Sequence, residues 1–184
     1  MNETPANESQ RKKKVTPLRI ALGLAIVILL VANLIELPLR TPSRAYIITC
    51  KANLRILHDA FTVYAQDNDG TYPTPAQWCD LIKPMLLTQY DGEGSLYCPK
   101  SRYTACDYAM NPHADPCSPP DVVLLFESQP GWNQFGGADL LRTDNHKDVG
   151  ANVIFVSGEI ISVTADQVAD LRWTVEEPNQ PDTD

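Results

Sequence analysis

The sequence lacks an excess of basic residues and the short motifs of common catalytic sites. Its 184 residues include 15 Lys and Arg against 23 Asp and Glu, which gives a formal net charge of −8. Domains that bind nucleic acid normally carry a basic stripe, so this composition excludes that class. There is no glycine-rich phosphate loop, no nucleophile elbow and no HExxH motif. We therefore predict a protein that is not an enzyme, uses no cofactor and has no nucleic-acid partner.

The sequence also lacks the spacing of a metal site. No CxxC pair occurs, and His113 does not stand at a zinc-site spacing from Cys106 and Cys117. A calcium loop centred on Gly70 would place Ala65 first and Ala76 last, where an EF-hand needs acidic ligands. We therefore predict no metal ligands and interpret the polar stretch at Gly70 as the end of a helix.

One apolar run stands near the N-terminus. The basic residues Arg11–Lys14 precede Ile20–Ile35, which contains no charged residue. A helix over residues 17–38 is long enough to span about 30 Å of bilayer. The positive-inside rule then places the leader, residues 1–16, in the cytoplasm. This predicts an anchor in the bacterial inner membrane, with the lipid bilayer as a partner and the rest of the chain outside the cytoplasm.

Two other interpretations of the apolar run stay open. A cleaved signal peptide would fit the charged start, but the nearest small-x-small site, Ser43–Ala45, lies beyond Pro38 and Pro42. A buried helix of a soluble domain is the other alternative, because apolar residues occupy every face of the run.

The five cysteines all follow the predicted anchor. In an oxidising compartment they predict one or two disulfides and one remaining thiol. Cys98 and Cys106 flank a polar turn and are the first candidate pair. Cys79 or Cys117 could replace either of them.

The remainder predicts an α+β domain over residues 43–173. Ile47, Cys50, Leu54, Leu57, Phe61 and Tyr64 recur at helical spacing, which predicts a helix from about Ser43 to Asp67. A short helix follows over Pro75–Ile82. Strands are predicted at Ser95–Cys98, Ala105–Met110, Val122–Phe126, Asn152–Val156 and Glu159–Val163, with a short helix at Ala165–Arg172. Residues 174–184 are predicted to form a disordered acidic tail.

Two polar or aromatic features have no place in that pattern. Trp132, Asn133 and Phe135 lie in a glycine-rich loop, Gly131–Gly137, which is either a contact surface or packing over the sheet. His58 lies off the apolar stripe, and we expect it on a solvated helix face.

The order of these parts resembles bacterial type IV pilin-like proteins, in particular the pseudopilins of type II secretion and the prepilin-like group of planctomycetes. The matching motifs are Cys50–Leu57, Tyr64–Pro73, Tyr97–Pro99, Asp107–Asn111, Asn145 with His146, and Asn152 through Phe155 to the hairpin at Gly158. The likeness extends from about Pro17 to Val163. It implies a long N-terminal transmembrane and amphipathic helix packed on a small antiparallel sheet. It also implies a structural role, with other pilin-like subunits or secretion-machinery membrane proteins as partners.

Two features of that family have no counterpart here. The glycine that its leader peptidase needs is missing from Val15–Pro17, and Ala21 and Leu22 stand where the family has an assembly glutamate. The prepilin processing site is thus degenerate. This leaves two functional hypotheses: a pseudopilin-like structural or assembly component, or a stand-alone anchored extracytoplasmic binding domain that is neither processed nor polymerised.

Overall fold

The computed structural model describes residues 17–90, 92–101, 105–146 and 149–175. The predicted leader and most of the predicted acidic tail lie outside these residues. The described chain forms two compact units, one that ends at Thr41 and one that begins at Pro42. The second unit combines helices with an antiparallel sheet, which confirms the α+β class.

The first helix, α1, spans Pro17–Asp67. The helix continues through Pro38 and Pro42, although proline in a helix interior removes a backbone hydrogen bond. The helix ends as predicted: Asp69 and Gly70 adopt left-handed backbone conformations, and the Gly70 amide donates to the Ala65 carbonyl at 2.9 Å. Glycine suits this position because it has no Cβ to clash in that conformation.

The second helix, α2, spans Trp78–Gln89 and is longer than predicted. A 3₁₀ turn at Pro75–Gln77 precedes it, with proline at its first position as expected. Trp78, Cys79, Ile82 and Leu86 are its buried residues.

Four strands form an antiparallel meander in the order β1-β2-β3-β4. Their bounds are Tyr108–Met110 for β1, Val123–Glu127 for β2, Ala151–Phe155 for β3 and Ile160–Val163 for β4. The prediction of a central, fully buried strand at Val122–Phe126 is confirmed, because β2 pairs on both sides. The predicted hairpin at Ser157 and Gly158 is also confirmed, since it joins β3 to β4.

Both faces of the sheet are covered. One face packs against α1 and α2 through a cluster that includes Leu54, Leu57, Phe61, Trp78 and Leu125. The other face carries Ala109, Val123, Phe126, Val153 and Val163, packed by partly buried residues that include Leu140, Leu141 and Trp173. Burial on both faces explains why β2 reads as a continuous apolar run instead of an alternating one.

Two predicted elements need correction. The segment predicted as a strand at Ser95–Cys98 contains a 3₁₀ helix at Glu93–Leu96, and the predicted short helix near the C-terminus is a 3₁₀ helix at Ala165–Asp170. Propensity does not distinguish such short segments, whose form depends on the tertiary contacts around them.

His58 also departs from its predicted setting. Its side chain is only 14% exposed, and its Nε2 lies 3.1 Å from the Val156 carbonyl oxygen. The β3–β4 hairpin covers this helix face because Gly158 packs directly beneath Arg55 and His58.

Among the described residues, no helix has an apolar stretch of sufficient length to traverse a membrane.

Candidate functional site

A buried polar cluster lies at the end of β2, and Glu127 is at its centre. The Glu127 side chain is completely buried. Its Oε1 lies 2.8 Å from His146 Nε2 and accepts a hydrogen bond from the side-chain Nδ2 of Asn152 at 3.2 Å. Its Oε2 accepts a hydrogen bond from the backbone amide of Asn152 at 2.8 Å. Both carboxyl oxygens are therefore satisfied within the protein, as a buried polar group requires.

Sequence reasoning singled out His146 and Asn152 but missed Glu127. The available signal was an acidic residue that directly follows the apolar run Val122–Phe126. A glutamate at the end of a buried strand is seldom fully buried unless it has partners. Polar residues elsewhere in the chain should therefore have been expected to converge on it.

The other motif residues surround this cluster or lie beyond it. Asn145 is buried, and its carbonyl accepts from Lys100 Nζ at 2.8 Å. Asn152 Oδ1 accepts from Ser162 Oγ at 2.7 Å, which ties the cluster to β4. Phe155 is partly buried against the second hydrophobic cluster, and Gly158 forms the β3–β4 turn.

Two cysteines meet beside His146. Cys50 Sγ on α1 lies 3.2 Å from Cys98 Sγ, and both residues are buried. The hydrogen bond from the Cys50 thiol lowers the pKa of Cys98 to about 6, and the same bond together with burial raises the pKa of Cys50. In this pair the Cys50 thiol is the hydrogen-bond donor and the Cys98 sulfur is the acceptor.

The segment that carries Cys98 is held by two hydrogen bonds to Asp107. The Cys98 amide donates to Asp107 Oδ2 at 2.7 Å, and the Asp107 amide donates to the Leu96 carbonyl at 3.0 Å. Burial raises the pKa of the Asp107 carboxyl. These bonds hold Cys98 near the start of β1 without a contribution from the thiols.

A second pair forms between Cys79 on α2 and Cys106. Both residues are buried in the same hydrophobic cluster. Burial, followed by the interaction with the Cys79 thiol, raises the pKa of Cys106 well above its ordinary value. The structure thus brings Cys98 to Cys50 and Cys106 to Cys79, whereas the sequence predicts the pair Cys98 and Cys106. The sequence favours Cys106 as the partner of Cys98 because the two residues are close along the chain. In the structure the Cys98 thiol faces α1 and the Cys106 thiol faces α2. Cys117 is exposed.

The chemistry open to these thiols is limited by burial. Cys50 is 0% and Cys98 2% exposed, so no substrate reaches either sulfur in this conformation. The pair can form a disulfide. Alternatively, the two sulfurs and a ring nitrogen of His146 lie within 4.8 Å of one another and could hold a metal ion.

The loop Gly131–Gly137 is braced against α2. Asp80 accepts from Trp132 Nε1 at 2.9 Å and from Asn133 Nδ2 at 2.6 Å, and the Cys79 amide donates to Asn133 Oδ1 at 2.8 Å. The Lys83 ammonium lies 5.6 Å from the Trp132 ring centre. Hydrogen bonds from Asn133 and Trp132 lower the pKa of Asp80.

Despite this bracing, the aromatic residues of the loop stay partly open to solvent. Trp132 is 39% and Phe135 47% exposed. The structure therefore brings Trp132 and Asn133 together on Asp80 and leaves two aromatic surfaces facing outwards.

Comparisons with protein-family models, with curated proteins and with solved structures found no match to this chain.

Proposed function

We propose that this chain is a non-enzymatic, single-pass membrane protein that serves as a pseudopilin-like structural or assembly component. Its α+β domain would lie outside the cytoplasm of a bacterial cell. Its partners would be other pilin-like subunits or membrane proteins of a secretion machinery.

The observation that carries the proposal is the apolar surface of the first part of α1. Leu22, Leu24, Val27, Ile28 and Leu30 are each more than half exposed. Monomeric soluble proteins rarely expose a contiguous apolar surface of this kind. In the sequence the charge-free run extends to Ile35, so a lipid bilayer would cover it.

The later part of α1 supports a pilin-like arrangement. Its residues Cys50, Leu54, Leu57 and Phe61 are completely buried. They belong to the hydrophobic cluster that α1 shares with α2 and the sheet. One helix thus supplies both an exposed apolar segment and the core of an α+β domain with an antiparallel meander.

The alternative is a stand-alone anchored binding domain. The missing glycine and the missing glutamate favour it, because leader processing and filament assembly would lack their usual residues. The braced loop with exposed Trp132 and Phe135 would be its contact surface, since aromatic residues are enriched in binding sites.

Intact mass of the protein extracted from native membranes tests these alternatives. A chain that begins at Pro17 and copurifies with pilin-like subunits supports the assembly role. A full-length chain recovered as a monomer supports the stand-alone domain. A soluble chain that begins near Ala45 would overturn the anchor.

A matched pair of variants tests the anchor directly. Ile28 and Ile48 lie on the same helix and are 65% and 69% exposed. A charge within a membrane span costs about 3 kcal/mol in insertion, so we expect Ile28→Lys to lower the membrane-integrated fraction. We expect Ile48→Lys to leave it unchanged. Equal integration of both variants would contradict the anchor.

A further inference from the structure

We infer that the folded domain carries two disulfides, Cys50–Cys98 and Cys79–Cys106, which tie Cys98 to α1 and Cys106 to α2. The inference deepens the proposed function, because an extracytoplasmic domain is exposed to an oxidising compartment.

The first pair already has the required proximity. The Cys50 and Cys98 sulfurs lie 3.2 Å apart, although the two residues are separated by 48 positions in sequence. A disulfide holds its sulfurs about 2.05 Å apart, so bond formation needs a movement of about 1 Å. No other cysteine needs to be displaced, since Cys106 faces α2.

The second pair makes the pattern consistent. Cys98 and Cys106 flank residues 99–105, and each meets a cysteine on a different helix. Four of the five cysteines are therefore buried in two pairs, and the fifth, Cys117, is exposed.

A metal ion at Cys50, Cys98 and His146 is the competing explanation. Structural zinc sites use four protein ligands. Only three candidate ligands converge among the described residues, so a structural zinc ion there would lack its fourth protein ligand.

Formation of each bond requires a disulfide oxidant and proceeds during folding, before the sulfurs are buried. The Cys98 thiolate attacks one sulfur of the oxidant's disulfide, forms a mixed disulfide and releases one oxidant thiolate. The Cys50 thiol then loses its proton and attacks the Cys98 sulfur, which releases the second oxidant thiolate. The two cysteines lose two electrons in total, and the oxidant becomes a dithiol. Cys79 and Cys106 follow the same steps.

Peptide mapping under non-reducing conditions tests the connectivity. The full chain is denatured with a thiol-blocking reagent present and cut with trypsin and an Asp-specific protease. These cuts place the five cysteines on separate peptides: residues 45–51, 69–79, 91–100, 103–106 and 115–120. We expect peptide 45–51 to be linked to peptide 91–100 and peptide 69–79 to be linked to peptide 103–106. Only Cys117 should carry the thiol-blocking reagent. A bond between 91–100 and 103–106 would overturn the inference.

The failure of this inference can be separated from the failure of the proposed function. If the protein isolated from cells contains no disulfide, its cellular location shows whether the disulfide inference or the proposed function has failed. Free thiols in protein that a protease added outside the inner membrane can digest would overturn the disulfides and leave the anchor intact. If the protein proves cytoplasmic, the full chain is refolded with oxidised and reduced glutathione. The same two bonds are expected, and their absence there would overturn the inference.

Variants and metal analysis complete the test. We expect Cys50→Ser to free only Cys98, with the 69–79 to 103–106 link retained, and Cys117→Ser to change no link. Zinc bound at one ion per chain, lost in both Cys50→Ser and His146→Gln, would overturn the first disulfide in favour of the metal.

Discussion

Glu127 and His146 face each other in the interior, with Oε1 and Nε2 2.8 Å apart and side chains that are 0% and 2% exposed. Asn152 supplies the other two hydrogen bonds to the same carboxyl group. This contact joins β2, β3 and the segment before β3, next to the pair formed by Cys50 on α1 and Cys98. The residues that resemble a family motif in sequence thus act together as a single buried network.

Replacement of Glu127 should break that network. In Glu127→Gln one acceptor oxygen becomes an NH₂ donor, which then faces the donors of His146 or Asn152. Loss of a buried charged hydrogen-bond partner costs about 3 kcal/mol, so we expect a free energy of unfolding lower by that amount. Chemical denaturation of the full chain in detergent measures it.

The matched control is Glu159→Gln. Glu159 is an exposed residue in the β3–β4 turn, so the same loss of charge there should change the unfolding midpoint little. Equal midpoints for the two variants would show that the carboxyl of Glu127 is not needed for stability.

Reduction of the protein should lower its stability through the Cys50–Cys98 bond. The bond closes a loop of 48 residues. Chain-entropy arguments give about 4 kcal/mol for a loop of this size. We expect the melting temperature to fall when reductant is added, and to fall equally in Cys117→Ser. A melting temperature that does not respond to reductant would contradict the prediction.

Gly150, which directly precedes β3, should tolerate substitution poorly. Its φ is +91°, and a Cβ there would lie 1.9 Å from the Val163 carbonyl oxygen on β4. Gly150→Ala must therefore both strain the backbone and separate β3 from β4. We expect a loss of about 3 kcal/mol or more, since strain and lost strand pairing add.

Gly70 provides the comparison for that experiment. Its φ is +72°, yet a Cβ there would meet nothing within 4 Å. Gly70→Ala should cost about 1 kcal/mol from the backbone conformation alone. Chemical denaturation of both variants separates the two effects, and similar losses would show that the close approach to Val163 does not matter.

The sequence was informative where a periodic pattern dominates. The stripe from Cys50 to Phe61 on α1, the buried strand β2 and the Ser157–Gly158 hairpin each followed from residue spacing. These elements are long or have strong local turn chemistry, and packing reinforces their propensity.

The cluster at Glu127 could not be predicted in the same way. Glu127 and Asn152 are 25 positions apart, and the neighbouring Cys50 lies 77 positions before Glu127, so only the folded topology brings these residues together. The neighbours of the cysteines could not be predicted for the same reason. Cys98 and Cys106 are close in sequence, but the fold places one thiol beside α1 and the other beside α2.

The Asp80 brace should make the loop Gly131–Gly137 sensitive to acid. Hydrogen bonds from Asn133 and Trp132 hold the pKa of Asp80 below its ordinary value. A carboxyl whose pKa is lower in the folded state stabilises that state above its unfolded pKa, about 3.9. This contribution is lost as the pH falls through the folded pKa. The loop should therefore be held firmly at neutral pH and loosen below about pH 4.

Hydrogen exchange over the loop measures this effect in two ways. At neutral pH, Asp80→Ala should raise exchange in residues 131–137 while the global unfolding midpoint changes little, because Asp80 braces an exposed loop outside the main core. Asp139→Ala removes a carboxyl just beyond the same loop and should leave the exchange of residues 131–137 unchanged. In Asp80→Ala the loop that carries Trp132 and Phe135 should adopt a wider range of conformations. A partner that binds this loop should therefore bind the variant more weakly. Equal exchange in the wild-type protein and Asp80→Ala would show that Asn133 and the backbone hold the loop without the carboxylate.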